Sequence, residues 1–307
     1  MNLDLGFDRE KIKEEFPWVS EENKKMVIGG DLDALLSATY LKDRKEWELI
    51  GFYTDFENLY YKTGEEDELE DAIWVDLDIY DSEIYSIGHH ILKDKKSDEL
   101  KGHKNSLNPN LLNCVTREDF WEKYPLGTIH FLLWLFDEDI DHSDILSKLL
   151  IWLPDSSWIN GQKYEDNVKN WIINFIKLDS LKNTLDEIYD KPFEEKMRDE
   201  LFPKIEKVRF KDDGQRKSHH LNLSGHQCSF SDPKSNKRKI NELFELINFI
   251  LDWDTPKIDY NLKTKTGNRH SVDYSNESLE DFLEGKNIFS YAFVYYKKIN
   301  YTTDINI

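Results

Sequence analysis

Short apolar runs near the start of this chain, three of them cut off sharply by glycine or aspartate, constrain its fold more than any other feature. Residues 24–28 (KKMVI) stop at Gly29-Gly30, residues 47–53 form a second run, residues 72–75 stop at Asp76, and residues 84–87 stop at Gly88-His89-His90. Runs this short, bounded this way, read as buried strands rather than helices. Between the first two, residues 32–41 carry their apolar side chains on one face, which predicts a helix. Strand, helix, strand, strand at these spacings predicts a parallel sheet of the α/β class.

Helical patterns are expected at 9–16, 128–136, 145–153, 164–176, 178–189, 193–207 and 236–251, and strands at 219–230, 256–262 and 289–296. The character of the chain changes after residue 208. The expected organisation is therefore an α/β domain with a parallel sheet over 1–195, a helical connector at 196–208, and a smaller α+β substrate-binding domain over 209–307. Asn108-Pro109-Asn110 marks a turn.

The two cysteines, Cys114 and Cys228, lie far apart and form no C-x-x-C pair, so no disulfide framework or cysteine-based zinc site follows from them. His226 beside Cys228 matches no common zinc spacing. The longest apolar run, 129–136, is well short of the roughly 18 residues of a membrane span. The first sixteen residues are acidic and amphipathic and carry no apolar signal core. A cytoplasmic protein without membrane contact is expected. The net charge of −20 is uneven: residues 1–160 hold 17 basic and 36 acidic side chains, and the remainder 24 and 25. So acidic a first half excludes bulk electrostatic binding of a polyanion, but not phosphate chemistry at a metal, because such sites are built from carboxylates.

Three apolar strand ends carry chemistry. Asp31 and Asp33 follow the first, Asp76 and Asp78 the third, and His89 and His90 the fourth. Ligands bind at the carboxyl ends of strands in open α/β sheets, and parallel strands would bring these ends to one edge. Clustered carboxylates repel and raise one another's pKa, and a divalent cation removes that cost. Carboxylate oxygens with imidazole suit Mn²⁺; an all-oxygen shell suits Mg²⁺.

In this order the motifs resemble those of the DHH phosphoesterase superfamily. Gly29-Gly30-Asp31-Leu32-Asp33-Ala34-Leu35-Leu36-Ser37 resembles its first motif, His-x-Asp-x-Asp-Gly-x-x-Ser. Asp76 resembles the second-motif aspartate, Gly88-His89-His90 the Asp-His-His, and Asp155 the fourth-motif aspartate. The family includes RecJ-type single-strand exonucleases, small oligoribonucleases, cyclic-dinucleotide phosphodiesterases and family II inorganic pyrophosphatases. The resemblance covers roughly residues 24–158. It implies one or two metal ions, with Asp33, Asp76, His89 and Asp155 in one shell and Asp31 sharing Asp76 with the second. It makes His90 the contact to substrate phosphate, and Asp31 and His90 the catalytic candidates. Metal-activated water would then cleave a phosphodiester in single-stranded or short nucleic acid, or a nucleotide.

The chain departs from the family at Gly29, Ala34 and Gly88. Loss of the first-motif histidine removes a ligand, and Asp78 is the candidate substitute, two residues beyond Asp76 on the same side of an extended chain. The departures keep a second reading open, a degenerate relative that binds nucleotide or nucleic acid without turnover. The family's Gly-Gly-Gly-His segment is absent; Thr266-Gly267-Asn268-Arg269-His270 is the nearest equivalent, with Arg269 and His270 as candidate phosphate contacts or as exposed residues of a hairpin turn. Two basic runs (Lys234, Lys237, Arg238, Lys239; and Arg216, Lys217, His219, His220) are candidates for tracking a nucleic-acid backbone or are simply solvated faces.

Overall fold

The computed structural model describes residues 6–141, 143–208, 210, 216–273 and 278–307. The chain forms two compact units, each built from separated stretches. One comprises Met1–Gly29, Lys45–Lys123 and Asp259–Ile307, the other Gly30–Arg44 and Tyr124–Ile258.

The first unit contains every strand among the described residues. These are β1 (Lys25–Ile28), β2 (Glu48–Thr54), β3 (Asn58–Lys62), β4 (Ile73–Val75), β5 (Ser86–Ile87), β6 (Ser106–Leu107), β7 (Leu262–Thr266), β8 (Asn268–Asp273), β9 (Ile288–Tyr295) and β10 (Lys298–Thr303). Seven form one sheet in the order β6-β5-β4-β1-β2-β3-β7. From β6 to β2 all pairings are parallel, while β3 and β7 join antiparallel. The protein is thus mixed α/β, with a largely parallel sheet. Strand β4 is buried along its whole length and β1 nearly so, as the interior of a parallel sheet requires and as their unbroken apolar runs announced.

The parallel sheet and the C-terminal tail share one core. Val27, Ile50, Tyr53 and Trp74 from the sheet pack with Phe289 and Ile305. Tyr53 meets Trp74 and Phe289 edge-on, with ring centroids 6.1 and 5.4 Å apart. Its hydroxyl is hydrogen-bonded to Ser290 Oγ at 2.7 Å and donates to Thr302. Between β7 and β8 the chain passes from the large sheet to a three-stranded antiparallel one, ordered β8-β10-β9. Gly267 makes that passage possible, because a Cβ there would lie 2.6 Å from the Thr303 carbonyl oxygen.

This arrangement differs from the expected domain boundary near 195–208. Residues 259–307 extend the first unit, and residues 209–258 belong with the second. The tail carries the apolar side chains Phe289 and Ile305 that complete the core around Trp74, so it folds with the sheet despite its distance in sequence.

The second unit is helical among the described residues. Its main elements are Leu32–Lys45, Thr128–Leu135, Ile145–Leu150, Ser157–Lys163 and Pro233–Leu251. The expected long helices at 164–176 and 193–207 are each broken by wide turns, at Trp171–Ile176 and Met197–Leu201. The expected strand at 219–230 is irregular backbone. Gln227 O accepts from Leu32 N–H at 2.7 Å and Phe230 N–H donates to Gly30 O at 2.8 Å, so this segment runs beside the start of helix Leu32–Lys45. The run at 256–262 is also irregular, and β7 begins only at Leu262. No helix among the described residues is long and apolar enough to cross a membrane.

Candidate metal centre

Strands β4 and β5 are parallel neighbours, with Val75 opposite Ile87. Whatever follows them therefore emerges side by side. Asp76 follows β4 directly, in the left-handed region at φ 59°, a conformation that aspartate tolerates better than most residues. Gly88-His89-His90 follows β5. One ligand atom from each of Asp76, His89 and His90 lies within 4.8 Å of the others. His89 Nδ1 is 3.7 Å and His90 Nε2 3.9 Å from Asp76 Oδ1. The imidazole rings are 4.0 Å apart, tilted by 40°. Asp76 and His89 are buried and His90 is about one-third exposed. One oxygen and two nitrogens converging at this range form a donor set suited to a first-row divalent ion.

The two histidines stand on a braced backbone. Asn110 Nδ2 donates to His89 O at 2.7 Å, His90 N–H donates to Asp78 Oδ2 at 2.8 Å, and Phe293 N–H donates to His90 O at 3.1 Å. Asn108 Nδ2 holds the other oxygen of Asp78 at 2.8 Å, while its own Oδ1 accepts Asn110 N–H at 2.9 Å. Burial pushes the Asp78 carboxyl up, against the pull of Asn108 and the His90 N–H.

Asp78 is not grouped with Asp76, His89 and His90; its two oxygens accept from the His90 N–H and from Asn108, so it braces the chain that carries the histidines. The reason is visible at Gly88, where a Cβ would lie 2.6 Å from Asp78 Oδ2. The Asp78 carboxylate fills the space a side chain at residue 88 would need, so aspartate at 78 and glycine at 88 are matched. Asp78→Ala is expected to weaken any Mn²⁺ binding at Asp76, His89 and His90 by about 10- to 100-fold, the usual cost of losing a residue that orients a metal-binding side chain. Calorimetric titration of the folded variant measures it, and an unchanged affinity would deny Asp78 that role. Asn108 and Asn110 were missed as contributors. Their only sequence signal was the Asn-Pro-Asn turn, which proves to be a buried helix cap.

Asp31, Asp33 and Asp155 belong to the second unit. Asp31 Oδ1 accepts Ala34 N–H at 3.1 Å and caps helix Leu32–Lys45. Asp33 is buried and takes Thr128 N–H at 2.6 Å and Ile129 N–H at 3.1 Å. Its charge thus sits at the N-terminus of helix Thr128–Leu135, where the helix dipole favours it. Gly127 makes room for it, since a Cβ there would lie 2.5 Å from Asp33 Oδ1. One carboxylate oxygen of Asp33 lies within 4.8 Å of one from Asp155. Burial, and then these two charges, push the Tyr124 hydroxyl well above its ordinary value. No family model, curated protein or solved structure matches the chain.

The C-terminal candidates lie in strand, not in a turn. Arg269 and His270 are in β8, opposite Thr302 and Tyr301 of β10. His270 stacks on Tyr301 with centroids 4.7 Å apart and meets Thr303 Oγ1 at 3.2 Å. Both basic runs are partly committed. Arg216 donates to Asn160 Oδ1 at 2.7 Å, and Arg238 pairs with Glu242 at 2.7 Å. His226 stacks on Phe202 at 3.7 Å, and Cys228 Sγ donates weakly to its carbonyl at 3.5 Å, which is a packing role.

Proposed function

We propose that Asp76, His89 and His90 hold a divalent cation, Mn²⁺ or Mg²⁺, and that the protein is a metal-dependent phosphoesterase. Its substrate is a phosphodiester in single-stranded or short nucleic acid, or a nucleotide. The observation carrying this reading is the convergence of a buried carboxylate and two imidazoles at two adjacent parallel strand ends. The order of the sequence motifs supports phosphoester chemistry over other uses of a metal. A bound ion at such a site supplies a more acidic water and polarises a phosphoryl oxygen.

The chain's own part follows from its geometry. Asp76 brings the negative charge that favours a cation. His89, buried, is the imidazole closed to solvent, and His90, partly exposed, marks the open side from which a substrate phosphate would approach the ion.

The test is incubation of the purified chain with Mn²⁺ and a labelled oligonucleotide, a cyclic dinucleotide or pyrophosphate, with product separated by chromatography. Product that disappears on chelation supports the reading. Bound Mn²⁺ or nucleotide with no product from any substrate would instead support the degenerate, binding-only protein, which the glycines at positions 29 and 88 favour.

A further inference from the structure

The first unit exposes an aromatic cluster that its core does not use. Trp121 is 52% exposed and Tyr295 44%, in a chain that buries Trp47, Trp74, Trp152, Trp158 and Trp171 completely. Their rings meet edge-on at 5.9 Å, and Phe120 touches both, at 5.5 Å from Trp121 and 5.8 Å from Tyr295. Tyr296 extends the group, 4.5 Å from Tyr295. Lysines border it: Lys123 Nζ lies 4.9 Å from the Phe120 centroid and Lys297 Nζ 5.2 Å from that of Tyr296. Contiguous exposed aromatic surface of this kind marks an interaction site.

The backbone ties this cluster to the metal centre. Phe293 of β9 donates to the carbonyl of His90, and Tyr295 lies two residues further along the same strand, roughly 7 Å at strand rise. On the other side, the chain leaving His90 reaches Lys93, which bridges Thr116 and whose carbonyl takes Arg117 N–H at 2.7 Å. The segment so anchored continues to Trp121.

We propose that Trp121, Tyr295 and Tyr296, set over the buried ring of Phe120, form a stacking platform for unpaired bases of a single-stranded nucleic acid, with Lys123 and Lys297 against its phosphates. The proposal rests on the phosphoesterase reading in placing the platform beside the site of cleavage. Three observations favour this occupant. Bases stack on aromatic rings whatever their sequence. Lys123 and Lys297 stand at the border of the cluster, 4.9 Å from the Phe120 centroid and 5.2 Å from that of Tyr296, where they can meet the phosphates of a strand whose bases stack on Trp121 and Tyr295. And the exposed Lys297-Lys298 pair places positive charge at the turn beside Tyr296, where a phosphate backbone can be met.

The experiment uses the full chain in chelator, so that nothing is cleaved, with fluorescein-labelled oligothymidylate and the same strand paired with oligoadenylate. Anisotropy is expected to show tighter binding to the single strand. Trp121→Ala and Tyr295→Ala should each weaken it roughly ten-fold, Trp121→Phe should restore most of the loss, and Mn²⁺ affinity should not change in any of them. Equal affinity of wild type and Trp121→Ala overturns the platform, as does a dimer in sedimentation that Trp121→Ala dissolves, since the patch would then join two copies. Metal-dependent cleavage that Trp121→Ala leaves intact, with equal binding, removes the platform and spares the function. Platform binding without cleavage by the wild type in Mn²⁺ does the reverse.

Discussion

Asp76→Asn is expected to lower Mn²⁺ affinity about a thousand-fold and to abolish Mn²⁺-dependent hydrolysis, with the fold intact. Asp76 is the sole carboxylate of its triad, and the two imidazoles beside it are neutral when they ligate. Removing its charge takes away the interaction that offsets dehydration of the cation. A loss of several kcal/mol in metal-site stabilisation corresponds to about that factor. Asparagine is the cleaner replacement. Like aspartate it tolerates the left-handed backbone that residue 76 adopts at φ 59°, whereas alanine would add about 1 kcal/mol or more of backbone strain. Asp76→Ala should therefore lose metal and also some thermal stability, while Asp76→Asn loses metal alone. Calorimetric Mn²⁺ titration with thermal denaturation of the metal-free proteins separates the two effects. Hydrolysis at the wild-type rate in either variant would end the proposed mechanism.

The parts of the fold that were legible in the sequence are those where burial imposes a local pattern. Strands β1, β4 and β5 lie inside a parallel sheet, so their runs are continuous and apolar and the motifs at their ends could be read in order. The hairpin of β2 and β3 left no such trace. Its turn places Asp55 and Phe56 both at positive φ, with Glu57 N–H donating to Thr54 O. A turn of this shape normally announces itself with asparagine and glycine, and Phe56 hides it. Strand β7 was hidden for a different reason. Its partner β3 lies some two hundred residues earlier, and nothing local reports a pairing at that distance. At the site, Asp76, His89 and His90 were legible because each follows a strand end. The role of Asp78 was not, because alternation along an extended chain places it beside Asp76, whereas the backbone turns at Asp76 and leads Asp78 to the space above Gly88.

Glu194→Ala is expected to destabilise the helical unit by about 4 kcal/mol near neutral pH, because it strips two buried side-chain donors of their acceptor at about 1–3 kcal/mol each and also frees two partly buried amides. Glu194 has no solvent exposure. Its carboxylate accepts from Gln162 Nε2 at 2.9 Å, Ser218 Oγ at 2.6 Å, His220 N–H at 3.1 Å and Leu221 N–H at 2.6 Å. It therefore ties helices Lys191–Lys196 and Ser157–Lys163 to the turn at residues 218–221, a segment with no regular structure of its own. Burial alone would push this carboxyl up, but the four donors outweigh it and leave it below its ordinary value of 4.5. The sign of the pH dependence follows. A carboxyl held lower in the folded state than in the unfolded one contributes stability that is fully present above pH 4.5 and drains away as pH falls through the folded value. Urea denaturation at neutral pH should thus separate wild type from Glu194→Ala widely, and the gap should narrow once the pH drops below 4.5. Hydrogen exchange at the His220 and Leu221 amides should speed up in the variant before global unfolding, because those N–H groups lose their acceptor. If the two proteins unfold at the same urea concentration at neutral pH, these hydrogen bonds do no more than water would, and the loop must be held by its apolar contacts instead.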